Sequence, residues 1–211
     1  MTTATILAMT SSAVWGRLEE IGAGWQGLGA AVECGSWFGA SACALARGLV
    51  HAGYDRPLYL FDAWQLNQSE VIKARAAGFE VRFNQDIEAI CRANVQAVYP
   101  RVETHKGAIQ KARWTPEPIE IFVLDAVKRD PAFSTVMAKF VRHCVPGAII
   151  VMLDFHYWKH APAHNREAFM AQLGWAQKWC SEMGNLEDMG GLPGTSAQFF
   201  RLLSPIYGEA A

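Results

Sequence analysis

The sequence has no C-x-x-C pair, no apolar run long enough to cross a bilayer, and no excess of either charge. Each absence removes a class of protein. Without metal-type spacing, the five cysteines (Cys34, Cys43, Cys91, Cys144, Cys180) give neither a zinc site nor a disulfide framework. Their odd number, and their place on apolar patterns where a free thiol behaves as a small hydrophobe, fit a reducing cytoplasm. A formal net charge of −1 offers no electrostatic pull toward nucleic acid or an anionic membrane, so neither is an expected partner. The apolar patch Ala4–Met9 makes a poor signal peptide, since the first basic residue is Arg17.

What is present is a chain of 211 residues, 51% hydrophobic and only 18% charged, a balance that folds rather than stays disordered. That length predicts one domain over residues 1–211, with residues 1–29 as an N-terminal helix or lid segment. Oligomerisation is left open by the sequence.

The organising stretch is Val32–Ala46 (VECGSWFGASACALA). Ala30, Ala31 and Val32 end an apolar run suited to a buried strand, Glu33 breaks it, and Gly35 and Gly39 lead into an apolar helix. Glycines at such a turn let the backbone approach a ligand, and the free N–H groups of a helix start receive its polar atoms. The spacing E-x-G-x-x-x-G in this turn differs from the dinucleotide pattern G-x-G-x-x-G, which counts against a nicotinamide-dependent enzyme.

Ahead of this unit, Thr10, Ser11 and Ser12 offer caps for a helix over Ala13–Ile21. After it, a helix to about Val50 leads to a second strand, Leu58–Phe61, ending at Asp62. A carboxylate there is placed to accept both hydroxyl hydrogens of a ribose. Residues 65–100 read as helical, with Asn84 as a cap, and Arg101–Ile109 as a weak third strand whose His105 and Lys106 read as solvated. Ile119–Leu124 is a strand running into Asp125, and Asp130-Pro131 starts a helix. Ala148–Leu153 is the most apolar strand and runs into Asp154, followed by His156. A helix over Asn165–Met183 and an antiparallel pair near Leu186–Met189 and Gln198–Leu203 close the chain. Alternating strands and helices predict an α/β fold, a mostly parallel sheet covered on both faces. Ligands bind such sheets at the carboxyl ends of the strands, where Glu33, Asp62, Asp125 and Asp154 all fall.

With those residues in place, the chain resembles class I S-adenosylmethionine (SAM)-dependent methyltransferases, and within them the macrocin O-methyltransferase family. The resemblance covers most of Val32–Leu203, best at VECGSWFGAS, LYLFDAW, IFVLDAV and VPGAIIVMLDF. It implies a Rossmann-like seven-stranded sheet of order 3-2-1-4-5-7-6 with the last strand antiparallel, and a SAM-dependent transfer of methyl to a small-molecule acceptor, a hydroxyl oxygen. It further implies SAM held by Glu33, Gly35, Ser36, Trp37, Gly39, Ser41, Asp62, Ala63, Gly107, Ala108 and Asp125. Members of this family often hold a divalent cation with acids after the fourth and fifth strands. Asp125 and Asp154 match two of these, with His156 as a possible third ligand, whereas Leu153 and Val127 stand where further acids are common. Two carboxylates make a weak Mg²⁺ site, so a divalent metal is not favoured. His156 and Asp125 are the candidate bases for deprotonating an alcohol or phenol. Trp37, Trp64, Tyr157 and Trp158 are candidates for an acceptor pocket. A SAM-binding protein without catalysis, or another nucleotide-binding α/β enzyme, are the alternatives.

Overall fold

The computed structural model describes residues 6–115 and 117–207. The first two residues of the Ala4–Met9 patch lie outside the described residues. The chain runs α1 (Ser12–Ala23), β1 (Ala30–Cys34), α2 (Ala40–His51), β2 (Leu58–Asp62), α3 (Gln68–Ala76), α4 (Glu88–Gln96), β3 (Val102–Lys106), β4 (Ile119–Leu124), α5 (Ala132–Phe140), β5 (Cys144–Met152), α6 (Ala171–Ala176), β6 (Leu186–Gly191) and β7 (Gln198–Leu202). The strands form one seven-stranded sheet in the order β3-β2-β1-β4-β5-β7-β6, as the resemblance implied. β7 pairs antiparallel with both β5 and β6, and the remaining pairs are parallel. Among the described residues no helix is long and apolar enough to cross a membrane.

Side chains of β1 alternate between two cores, which is why the strand is apolar throughout. Ala31 packs under α1, α2 and α4, while Ala30, Val32 and Cys34 face α5 and α6. By that alternation Glu33 points the same way as Ala31, beneath the start of α2, where it is fully buried.

The N-terminal helix is fixed by close backbone contact rather than by long side chains. A Cβ on Gly22 of α1 would stand 2.5 Å from the Leu45 carbonyl oxygen of α2, and one on Gly48 of α2 would collide with the α1 backbone at Glu19. The following loop is clamped by a buried carboxylate in β4. Glu120 accepts from the backbone N–H groups of Gln26, Leu28 and Gly29 at 2.5, 2.6 and 3.1 Å.

Local departures from the sequence reading have tertiary causes. Residues 65–100 form two helices, because Gly78 turns left-handed just after α3. Asn67, not Asn84, is the capping residue: its side chain accepts from Glu70 N–H while Glu70 bonds back to the Asn67 N–H. Asn84 lies in a left-handed turn before α4. The helix expected over Asn165–Met183 is broken into single 3₁₀ turns, α6, and a π-helical stretch at Gln177–Glu182. There Phe169 turns inward against Tyr157, with Arg129 over its ring, and this pulls the chain off a helical path. The third strand includes His105, whose ring stacks on Phe61 at 4.4 Å, and it therefore is not a solvated loop residue.

Candidate active site

The rim of the sheet is laddered beyond the strands themselves. Gly35 N–H donates to the Phe61 carbonyl of β2, Asp125 N–H to that of Cys34, Leu153 N–H to that of Leu124, and Gly107 N–H to that of Asp62. These bonds, 2.8–3.0 Å long, bring the acids at the strand ends onto one surface. Gly35 sits at φ +97°, and a Cβ there would stand 2.5 Å from the Asp125 carbonyl oxygen. Its missing side chain lets the first loop press against the fourth, so the glycine serves loop packing before it serves any ligand. Gly39, at the start of α2, faces Val95 and Cys91 of α4.

Asp62 holds the first loop in shape. One carboxylate oxygen accepts from Trp37 N–H and the other from Trp64 N–H, each at 2.8 Å. Both tryptophans are in the left-handed region, at φ +44° and +46°. Trp64 is buried, with its Nε1 donating to the Trp37 carbonyl, and so belongs to the core and not to an acceptor pocket. Ser36 and Trp37 are buried as well, and the Ser36 Oγ and Trp37 Nε1 have no partner.

Neither carboxylate oxygen of Glu33 has a hydrogen-bond partner. Burial raises its pKa from 4.5 to about 7, against the pull of the nearby Ser41 and Ser36 hydroxyls and with the Asp62 charge adding to the rise. The Glu33 carboxyl, the serine hydroxyls and the Trp37 indole thus form a buried polar cluster beneath one loop.

Above that loop lies a cleft of about 540 Å³, lined among others by Gly35, Trp37, Asp62, Ala63, Gly107 and Ala108. Met9, Lys73, Asp125 and Lys128 close one end of it. The same four residues line a second cleft of about 350 Å³, which continues past Thr10, Ser11, Leu153, Asp154, Tyr157, Thr195 and Ser196. The two clefts therefore meet at Asp125.

At that junction Asp125 and Asp154 line the second cleft together. Burial, then the charge of Asp154, then that of Glu33 raise the Asp125 pKa well above the usual carboxylate range, while Lys128 opposes the shift. Lys128 Nζ is 2.7 Å from Asp154 Oδ2 and lies 4.3 Å from the centre of the Tyr157 ring. Lysine at this position escaped the sequence reading, because a lysine in a loop after a strand carries no distinguishing pattern. Its only signal is its distance of three residues from Asp125.

His156 is turned elsewhere. Its Nε2 lies 3.3 Å from Gln198 Oε1, its Nδ1 is buried without a partner, and it lines neither cleft. Burial, helped by the Lys159 charge, lowers its pKa. Trp158 lines neither cleft, whereas Tyr157 borders the second. The acids do not form a metal cage: among the described residues no three of His, Cys, Asp and Glu converge. Leu153 is buried beside Asp154, and His156 does not supply the missing ligand. The donor set therefore does not fit a divalent cation.

Residues 32–155, more than half of the sequence, match the model of a family described as a methyltransferase domain. The chain belongs to that family. Its fold is that of class I SAM-dependent methyltransferases, and three solved structures are similar in shape to this methyltransferase. The O-methyltransferase NovP has a TM-score of 0.62 at 11% identity, with 91% of this chain and 78% of that one covered. CalS11, a TDP-rhamnose 3′-O-methyltransferase of calicheamicin biosynthesis, gives 0.55 at 14%, covering 90% and 77%. The S-adenosylhomocysteine (SAH)-bound methyltransferase PaMTH1 of Podospora anserina gives 0.54 at 13%, covering 93% and 80%. No curated protein matches the methyltransferase.

Proposed function

We propose that this methyltransferase binds SAM in the larger cleft and transfers its methyl group to a hydroxyl of a small molecule held in the second. The observation that carries the reading is the meeting of the two clefts at Asp125, with Gly35, Trp37, Asp62 and Gly107 along the larger one. The cofactor supplies a methyl group activated by a sulfonium.

The protein's part is positioning and proton management. Asp62 keeps two oxygens at the edge of the cleft, each with a free lone pair for a ribose hydroxyl. Gly35 and Trp37 border the loop end of the cofactor, with Glu33 and Ser36 buried behind them, and the Gly107–Ala108 backbone borders its base. Substrate and cofactor brought together in this way lose most of the entropic barrier before chemistry begins. Thr10, Ser11, Thr195 and Ser196 offer hydroxyls to the acceptor, and Tyr157 gives it a flat wall. That lining suits a hydroxylated ring, and the name of CalS11 describes transfer to a sugar hydroxyl in a similar fold.

The acceptor oxygen loses its proton as the new C–O bond forms. Asp125 takes it, since this carboxyl stands at the junction of the two clefts and His156 does not. Residues 1–211 act as one domain in this reading, without nucleic acid or membrane as partner and with a cytoplasmic location. Calorimetry against SAM, SAH and NADH tests the cofactor, and methyl-labelled SAM with a panel of phenols, sugars and hydroxy acids tests the transfer. Absence of SAM and SAH binding refutes the reading. SAH binding without transfer to any acceptor class leaves a SAM-binding protein without catalysis.

A further inference from the structure

We propose that the Lys128 ammonium is the resident cation of the Asp125–Asp154 pair, a fixed replacement for a divalent metal that also faces the acceptor. The inference rests on the methyl-transfer reading for its chemistry, but on the geometry of the pair for its substance. The Lys128 ammonium stands 2.7 Å from Asp154 Oδ2, so this carboxylate already has a cation, and Asp125 lines the same cleft. A divalent cation on the same oxygens would have to displace Lys128 from Asp154 Oδ2 or sit against its like charge.

The surroundings hold Lys128 where it is. Its ammonium lies over the Tyr157 ring, which favours a cation on its face. The residue before it, Val127, has φ +47°, a conformation that a β-branched side chain adopts only when its neighbours enforce it. A strained residue immediately before a charged one that borders both clefts is an arrangement kept for that charge. Leu153 beside Asp154 is buried and apolar, so a cation there would have only the two carboxylates and water as ligands. Lys128 is thus placed to donate a hydrogen bond to the acceptor oxygen and to keep the pair from binding metal.

Removal of the ammonium should open the pair to a real cation. In the full chain, Mn²⁺ binding followed by electron paramagnetic resonance should show no equivalent bound to the native protein, and none to Lys128→Arg. Lys128→Met, which keeps the stem and loses the charge, should bind one equivalent at least about tenfold more tightly than the native chain, with two carboxylates and water as ligands. That site should vanish on adding Asp154→Asn. SAH calorimetry on each variant checks that the cofactor cleft is intact and tests the functional reading separately, since no Mn²⁺ outcome depends on it. A native protein that binds one equivalent of Mn²⁺ through Asp154 overturns the proposal. So does a folded Lys128→Met protein that binds Mn²⁺ no better than the native chain.

Discussion

Replacing Asp62 by alanine tests the cofactor cleft most directly, because this carboxylate has an internal and an external task. Internally it accepts the backbone N–H groups of Trp37 and Trp64, both of which sit at positive φ. A hydrogen bond to a charged group contributes about 1.5–3 kcal/mol, and partial exposure favours the lower end, so losing two should cost stability about 3 kcal/mol. Externally the same oxygens are the ones offered to the ribose, where loss of the interaction should weaken binding by about 1–3 kcal/mol, or roughly 5- to 150-fold. Asp62→Asn should do no better than alanine. Its amide turns a donor toward one of two N–H groups that need an acceptor. Urea unfolding gives the first number and SAH calorimetry the second, both at a temperature where the variant remains folded. An Asp62→Ala protein that binds SAH as tightly as the native chain refutes the ribose assignment. An unchanged unfolding midpoint refutes the role in holding the loop.

Other expectations follow from neighbouring residues. Glu33 has a folded-state pKa near 7 against 4.5 when unfolded, so the native state binds more protons between those values. Its contribution to stability is therefore present below pH 4.5 and lost as pH rises toward 7. Glu33→Gln should match the native protein near pH 4.5 and exceed it at pH 8 by on the order of 2–4 kcal/mol in ligand-free chemical unfolding; equal differences at both pH values would contradict the buried, unpartnered carboxyl. Gly35→Ala should lose about 2–5 kcal/mol of stability, from a left-handed residue with a Cβ and its collision with Asp125, while Gly107→Ala, facing open space, should lose only the backbone part. Equal unfolding midpoints for the two variants would remove the close-approach argument. Asp125→Asn should lower methyl-transfer turnover by about 10²–10⁴-fold with SAH affinity retained, and His156→Ala should change it little. A His156→Ala enzyme as slow as Asp125→Asn would return the histidine to the chemistry.

The fold was readable because its strands end in charge. Apolar runs closing on Glu33, Asp62, Asp125 and Asp154 marked the carboxyl edge of the sheet, and a parallel sheet puts its ligand there. What was not readable depended on contacts between distant segments. Nothing local distinguishes Trp64, which is held in the core by the Trp37 carbonyl, from an aromatic over a ligand. His156 follows Asp154 closely in sequence, yet the pairing of β5 with β7 turns it to Gln198. Lys128 looked like any loop lysine until the chain brought it to Asp154. The helix expected at residues 165–183 failed because two aromatic contacts outweigh its periodicity.

The glycine contact between α1 and α2 has a consequence for how molecules enter. With backbone against backbone at Gly22 and Gly48, and with the Glu120 clamp on the next loop, α1 is a fixed wall. It cannot swing as a door without breaking packing along its whole length. Among the described residues, the N-terminal part that borders both clefts lies ahead of it, at Met9, with Thr10 and Ser11 beside the second cleft alone. This strap is tied by a thioether contact to Lys73 and by the Trp15 indole on Thr10. Leu7 anchors the same segment in the core, so any widening of the second cleft on this side must come from Met9–Ser11 and not from α1.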